Sequence, residues 1–106
     1  MDWIRIFPNS ASAREALQTD RPRQLAISDK RICLVLYKNN ILAIEDKCSH
    51  NGESLSKGTV NFMGEVNCPW HGYRFNLKTG RESAERSRDL VTYPIMENEE
   101  GVFLGL

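Results

Sequence analysis

The chain has 106 residues, which suffices for one compact domain with a core that needs no disulfides. Its 14 Lys and Arg residues balance 14 Asp and Glu residues, so the formal charge is zero and gives no electrostatic reason to expect a nucleic-acid partner. No apolar run approaches the roughly 20 residues of a membrane-spanning helix, and the N-terminus lacks the basic start and apolar stretch of a signal peptide. We therefore predict a single cytoplasmic domain over residues 1–106, with no membrane partner.

The chain begins with a predicted strand and a predicted helix. The strand is expected over Trp3–Phe7. The sequence Ser12-Ala-Arg-Glu15 has the form of a capping box, which predicts a short helix over Ala13–Leu17.

Two hairpins are predicted next. The segment Ile32–Tyr37 is apolar throughout, so we expect a strand that is buried on both of its faces. Asn39-Asn40 suits a tight hairpin turn, because Asn tolerates positive φ. The other elements predicted here are strands over Arg23–Ser28, Arg31–Lys38 and Ile41–Glu45 and a turn at Asp29-Lys30.

The second half of the chain alternates between polar loops and short strands. Residues 46–64 are rich in Ser, Gly, Asn and Lys and show little periodicity, and Arg81–Asp89 is a second polar loop. The remaining predicted elements are strands around Val66, over Tyr73–Leu77, across residues 91–95 and over Val102–Leu106, with turns at Lys78–Gly80 and Glu97–Gly101. About eight or nine strands with almost no helix predict an all-β fold, an antiparallel sandwich or small barrel.

Both histidines of the chain lie within three residues of a cysteine. The pairs are Cys48-Ser-His50 and Cys68-Pro-Trp-His71, and 17 residues separate His50 from Cys68. Three cysteines are too few for a disulfide framework, and an odd number cannot pair completely. Thiolate and imidazole, in contrast, both bind iron or zinc well. In a zinc finger with two cysteines and two histidines, one segment carries both cysteines and the other carries both histidines. Here each segment carries one cysteine and one histidine.

A cluster of two irons explains this mixture. If both cysteines bind one iron and both histidines bind the other, each loop must supply one ligand to each metal. Two neutral imidazoles in place of two thiolates make the cluster less negative, so they raise its reduction potential, and each leaves a ring nitrogen whose protonation can couple to reduction. Gly52 and Gly72 would let the backbone turn sharply near the cluster, and Pro69 would stiffen the second loop.

Together the segments from Cys48 to Gly58 and from Cys68 to Gly80 resemble the Rieske family, specifically its stand-alone ferredoxins. The resemblance covers roughly residues 23–106 and rests on the motif C-x-H-x17-C-x-x-H-G. It implies an antiparallel β-sandwich or barrel of Rieske type, with a small cluster-binding subdomain whose loops span approximately residues 46–80. It also implies one [2Fe–2S] cluster per chain, with the metal ligands Cys48, His50, Cys68 and His71.

The resemblance implies an electron carrier and not an enzyme. Similar ferredoxins pass electrons from a reductase to a terminal oxygenase, such as a ring-hydroxylating dioxygenase, so redox proteins are the expected partners. The chain is not expected to be the oxygenase itself, because a mononuclear iron site needs two further histidines and a carboxylate, and no histidine remains.

Three departures from the family pattern narrow the type. Cytochrome bc-type members join their two loops by a disulfide, and Glu53 and Trp70 stand at those positions here. Those members also direct two hydroxyl groups at the cluster sulfurs, from positions that correspond to Tyr73 and Phe75. Since Phe75 has no hydroxyl, we predict a reduction potential near the low end of the Rieske range, on the order of −150 mV. The segment 83–89 also lacks the proline that the family carries in this loop.

Other interpretations of the sequence stay open at this point. A structural zinc-binding interaction module and a redox-sensing subunit are the alternatives, and the small subunits of assimilatory nitrite reductases keep the fold but lose the ligands. Cys33 lies in an apolar strand and is expected in the core. Trp70 is expected either to contribute to docking or to shield the cluster. Ser49 and Lys57 are expected to be solvated.

Overall fold

The computed structural model describes residues 2–18, 21–70 and 72–106, so the predicted ligand His71 lies outside the described residues. Within these ranges all regular elements except one α-helix and one 3-10 helix are short β-strands, which confirms the predicted fold class. None of the described helices is long and apolar enough to cross a membrane. The elements are β1 (Trp3–Phe7), α1 (Ser10–Ala16), β2 (Arg23–Ile27), β3 (Lys30–Tyr37), β4 (Asn40–Glu45), a 3-10 helix (Leu55–Lys57), β5 (Thr59–Val60), β6 (Glu65–Asn67), β7 (Arg74–Asn76), β8 (Thr92–Tyr93), β9 (Ile95–Asn98) and β10 (Gly101–Gly105).

The described strands form three sheets in which every neighbouring pair is antiparallel. The first sheet has the order β1-β10-β9, the second β2-β3-β4-β8 and the third β5-β6-β7. The third sheet is small, and the connection between its strands β6 and β7 contains Cys68. The segment that contains Cys48 follows β4 of the second sheet. The loops that carry the two cysteines therefore begin at strands of different sheets.

Strand β3 separates two hydrophobic cores. Ile32 and Leu34 pack in a core with α1 and β10, whereas Cys33 and Val35 pack in a second core with the small sheet. Successive side chains of a strand point to opposite faces, so one apolar strand contributes to both cores. The predicted burial on both faces is confirmed for residues 32–35, all of which are buried. Cys33 is a core residue as predicted, and burial raises the pKa of its thiol.

The helix begins earlier than the sequence predicts. Asn9 is its N-cap and accepts a hydrogen bond from the Ser12 N–H at 2.7 Å, so Ser12 lies inside α1 and the predicted capping box is wrong. Asn and Ser are comparable N-caps, and local sequence does not distinguish the two starts. The earlier start adds Ser10 to the helix, and the side chains of Ser10 and Arg14 both donate to Glu97 of β9.

The hairpin turns lie one residue earlier than predicted. Between β3 and β4 the turn is Lys38-Asn39, with φ of 48° and 65°, and Asn40 already pairs with Tyr37. A two-residue turn of this kind requires positive φ at both positions, so a lysine adopts the conformation that the prediction assigned to asparagine. The turn between β2 and β3 is likewise at residues 28–29 and the last turn is confined to residues 99–100.

Candidate metal centre

Two loops with the same hydrogen-bonded frame hold Cys48 and Cys68. Loop 1, residues 46–53, follows β4, and loop 2, residues 68–73, joins β6 to β7. The Cys48 N–H donates to the carbonyl oxygen of Glu53, and the Cys68 N–H donates to that of Tyr73, each at 2.7 Å. In each loop the backbone N–H of the cysteine thus donates a hydrogen bond to the carbonyl oxygen of the residue five positions later. The two loops share this hydrogen bond although their Cys–His spacings differ.

A glycine with positive φ lies four residues after each cysteine. Gly52 has φ of 77° and Gly72 has φ of 67°. A Cβ at Gly72 would meet no heavy atom within 4 Å, and one at Gly52 only the Lys47 Cε at 3.7 Å, so the backbone conformation and not the available space favours glycine. The shared Cys-x3-Gly spacing is visible in the sequence, and it is the local signal for the two positive-φ glycines.

The matched loops bring the thiols of Cys48 and Cys68 together. These side chains are buried, with exposed fractions of 0% and 3%, and neither is in a disulfide. Burial raises the pKa of the Cys68 thiol to about 11, and the neighbouring Cys48 adds to the rise. Two adjacent free thiols can bind one metal ion, and they lose their protons when they do so.

His50 lies at the exposed side of loop 1, and its ring stacks on Tyr73 of loop 2. The ring centroids are 3.9 Å apart with an interplanar angle of 16°. Within residues 2–18, 21–70 and 72–106, no three or more Cys, His, Asp or Glu side chains form a group that could hold one metal ion. The described ligand candidates are therefore divided between a buried pair of thiols and a surface imidazole.

The carboxylate of Asp46 anchors loop 1. It is fully buried and accepts hydrogen bonds from the Ser56 N–H at 2.6 Å and from the hydroxyls of Ser54 and Ser56 at 2.6 and 3.0 Å. The Gln24 amide donates to it as well, at 2.7 Å. Asp46 thereby ties both ends of loop 1 together. Sequence reasoning missed this residue, and its only local signal was an Asp two positions before Cys48.

Replacing Asp46 by asparagine is expected to lower the free energy of unfolding of the apoprotein by about 2 kcal/mol, because an amide presents only one acceptor oxygen and no charge to four donors. Urea unfolding would measure the loss. Asp2→Asn is the matched control, since Asp2 is exposed and its change is expected to stay within about 0.5 kcal/mol. Equal stability of the two variants would show that Asp46 does not anchor the loop.

Trp70 and Glu53 connect the tips of the two loops. The Trp70 indole N–H donates to Glu53 Oε2 at 2.8 Å, and the Lys57 ammonium lies 3.5 Å from Oε1 of the same carboxylate. Hydrogen bonds from the Ser54 N–H and then from Trp70 hold the pKa of Glu53 below its usual range. A hydrogen bond thus joins the loops at the positions where cytochrome bc-type members, by the resemblance above, carry a disulfide. Trp70 remains 56% exposed.

Residues 81–89, which we call the cover loop, contact loop 1. The Ser49 hydroxyl donates to the Arg88 carbonyl oxygen at 2.7 Å and lies 2.9 Å from the Ser87 hydroxyl. The expectation that Ser49 is solvated is therefore wrong. The sequence does not reveal these contacts, because the partners of Ser49 lie 38 and 39 residues away. The side chain of Lys57 is 71% exposed, as predicted.

Comparison with known proteins settles the family. The family model described as the Rieske [2Fe-2S] domain matches residues 8–94. The chain belongs to the Rieske family. This confirms both the predicted family and the predicted [2Fe–2S] cofactor. One similar protein is the 3-phenylpropionate/cinnamic acid dioxygenase ferredoxin subunit of Escherichia coli (strain K12), which is 38% identical over 76 residues, 71% of this chain and 72% of that protein.

Solved structures confirm the Rieske fold over almost the whole chain. The ferredoxin of carbazole 1,9a-dioxygenase from Nocardioides aromaticivorans IC177 superposes with a TM-score of 0.82 at 19% identity, covering 99% of this chain and 98% of that one. A chain in a complex of reduced oxygenase and oxidized ferredoxin in carbazole 1,9a-dioxygenase superposes with a TM-score of 0.80 at 23% identity, covering 97% and 92%.

The described residues fit a Rieske cluster in the chemistry of their donors. A Rieske centre requires two thiolates on one iron and imidazoles on the other. Cys48 and Cys68 could supply adjacent, buried sulfurs, and the exposed His50 of loop 1 could supply an imidazole. This division into an inner sulfur pair and an outer nitrogen is the one that a mixed-ligand diiron cluster needs.

Proposed function

We propose that this chain carries one electron at a time through a Rieske cluster ligated by Cys48, His50, Cys68 and His71. The observation that carries the proposal is the pair of buried, free thiols that loops 1 and 2 bring together, with the exposed imidazole of His50 on loop 1. We further propose that residues 1–106 form one Rieske domain, with its cluster-binding loops at approximately residues 46–80.

Buried residues of the site and an exposed histidine have different roles in the proposed electron transfer. The bound cluster supplies the one-electron redox chemistry. Burial of Cys48 and Cys68 keeps water from the sulfur side of the site. His50 is exposed, so a partner protein can approach the nitrogen side closely, and its second ring nitrogen can hold a proton. Asp46 keeps loop 1 in place while the charge of the site changes.

The partners that we propose are a reductase that supplies the electron and a terminal oxygenase, or a similar oxidoreductase, that accepts it. Two similarities support this. The relative from Escherichia coli is named as a dioxygenase ferredoxin subunit, and the carbazole 1,9a-dioxygenase structure contains oxygenase and ferredoxin together. We also propose a cytoplasmic location, where thiols stay reduced and Cys48 and Cys68 can bind a cluster.

Metal analysis of anaerobically purified protein tests the proposed function. We expect iron and acid-labile sulfide in equal amounts, corresponding to one [2Fe–2S] cluster per chain. We also expect an electron paramagnetic resonance signal after reduction with dithionite. The average g value should lie below that of all-cysteine clusters because imidazole replaces thiolate. A colourless protein with one zinc per chain would instead establish the structural zinc module.

The reduction potential is predicted to lie near the low end of the Rieske range, on the order of −150 mV. Phe75 is fully buried and has no hydroxyl to donate to a cluster sulfur, so the reduced cluster lacks one stabilising hydrogen bond. Protein-film voltammetry would measure the midpoint. A clearly positive potential would refute this prediction.

A further inference from the structure

The side chains of Arg86 and Tyr73 connect the cover loop to the proposed ligand His50. The guanidinium carbon of Arg86 lies 3.9 Å from the centroid of the Tyr73 ring, and the Tyr73 ring stacks on His50 with its centroid also at 3.9 Å. Tyr73 thus contacts a cation from the cover loop and the imidazole of loop 1. Nothing in the electron-transfer role described above uses Arg86.

Glu82 fixes the guanidinium of Arg86 in one orientation. Its carboxylate accepts hydrogen bonds from Arg86 Nε at 2.9 Å and from Nη2 at 2.8 Å, and it also accepts from the Arg86 backbone N–H at 2.9 Å. A two-pronged contact of this kind defines the guanidinium plane as well as its position. The Glu82 side chain is fully buried, and its backbone forms a β-bridge with Phe75 of the core. The cation is therefore attached to the rigid part of the molecule although the cover loop is polar and lacks proline.

We propose that Arg86 is a positioning residue for the cluster, which holds the Tyr73 ring against the imidazole of His50 and places a fixed cation beside the histidine side of the site. This inference rests on the proposed role of His50 as a ligand. Two consequences follow. The orientation of the imidazole depends on the Arg86–Tyr73 contact. Although the guanidinium is paired with Glu82, it is the charge that faces Tyr73 and so favours the reduced cluster, which is the more negative form.

The Arg86–Glu82 pair differs from a simple surface ion pair, because its guanidinium also contacts the Tyr73 ring. The same loop offers the comparison, because Arg81 pairs with Glu85 at the same spacing, with both side chains more than half exposed. Arg86 instead combines a buried carboxylate partner with an aromatic face, an arrangement that a planar guanidinium satisfies and a lysine ammonium does not. The two arginines are therefore a matched pair for experiment.

The test compares holoproteins carrying Arg86→Gln, Arg86→Lys and Arg81→Gln. Arg86→Gln is expected to lower the equilibrium constant for reduction about tenfold, which is ~59 mV for a one-electron couple. Arg86→Lys retains the charge, so its potential should fall less, while the nitrogen hyperfine couplings of the ligating imidazole should change in both Arg86 variants. Arg81→Gln should alter neither the potential nor the couplings.

If Arg86→Gln holds a full cluster with unchanged potential and unchanged couplings, Arg86 is not a positioning residue, although the proposed function stands. Arg86→Gln could fail to fold because Glu82 is left unpaired. In that case the hyperfine couplings of Tyr73→Leu test the proposal, since this variant keeps the Glu82–Arg86 pair and removes the ring that contacts both Arg86 and His50. Unchanged couplings in Tyr73→Leu would overturn the proposal. Absence of iron and sulfide from the unmodified protein would instead refute the proposed function.

Discussion

Replacement of Cys68 by serine is expected to yield a folded protein that binds neither iron nor sulfide. The Cys68 and Cys48 thiols are in contact and buried, so loss of one sulfur leaves a single thiolate for an iron that needs two. Serine is close to cysteine in size and the Cys68 N–H bond to Tyr73 is a backbone bond, so loop 2 should keep its frame. Iron and acid-labile sulfide analysis measures the loss, and circular dichroism reports the retained fold.

Cys33 provides the matched control within the same chain. It is as buried as the two proposed sulfur ligands and packs in the same core, but it belongs to β3 and not to a ligand loop. Cys33→Ala should keep the full cluster and lose about 1–2 kcal/mol of stability from the missing sulfur contacts. Retention of the cluster in Cys68→Ser, or its loss in Cys33→Ala with the fold intact, would show that the ligands are assigned wrongly.

Replacement of His50 by cysteine is expected to lower the reduction potential by on the order of 100 mV. A thiolate in place of a neutral imidazole adds one negative charge in both oxidation states, so the cluster accepts an electron less readily. Rieske centres reach down to about −150 mV, whereas all-cysteine plant-type ferredoxins lie near about −400 mV, and one of two histidines is exchanged here. Protein-film voltammetry measures the shift, and the average g value of the reduced protein should rise toward that of all-cysteine clusters.

Thr59→Cys is the control for the added thiol. Thr59 is exposed and lies in β5, outside both ligand loops, so a cysteine there should leave the potential and the signal of the reduced cluster unchanged. A His50→Cys protein with its cluster intact and its potential unaltered would mean that His50 does not ligate iron.

The sequence was most informative where chemistry or apolar patterning is local. The Cys–His pairs indicated a diiron cluster because each segment combines one sulfur with one nitrogen, whereas residue type alone fits iron or zinc. The apolar run Ile32–Tyr37 predicted a strand buried on both of its faces, because no polar position interrupts it, and residues 32–35 are buried. Both inferences depend on neighbours in the chain and needed no knowledge of distant contacts.

The sequence was least informative where a distant partner decides. Asn9 and Ser12 are both good N-caps, and Glu97 on β9 favours the longer helix. Ser49 looked solvated because its partners are in the cover loop. Asp46 carries no local sign that it will accept hydrogen bonds from residues on both sides of the cluster loop. The same limit applies to Arg86, which is one arginine among several in a polar loop until Glu82 and Tyr73 are seen to contact it.

Pulsed electron paramagnetic resonance on reduced protein that contains 15N-labelled histidine tests the central claim most directly. The chain has two histidines, so labelling both marks every imidazole in the molecule. If a pair of thiolates binds one iron and a pair of imidazoles binds the other, two strongly coupled 15N nuclei should appear. A reduced cluster without any coupled histidine nitrogen would contradict the account.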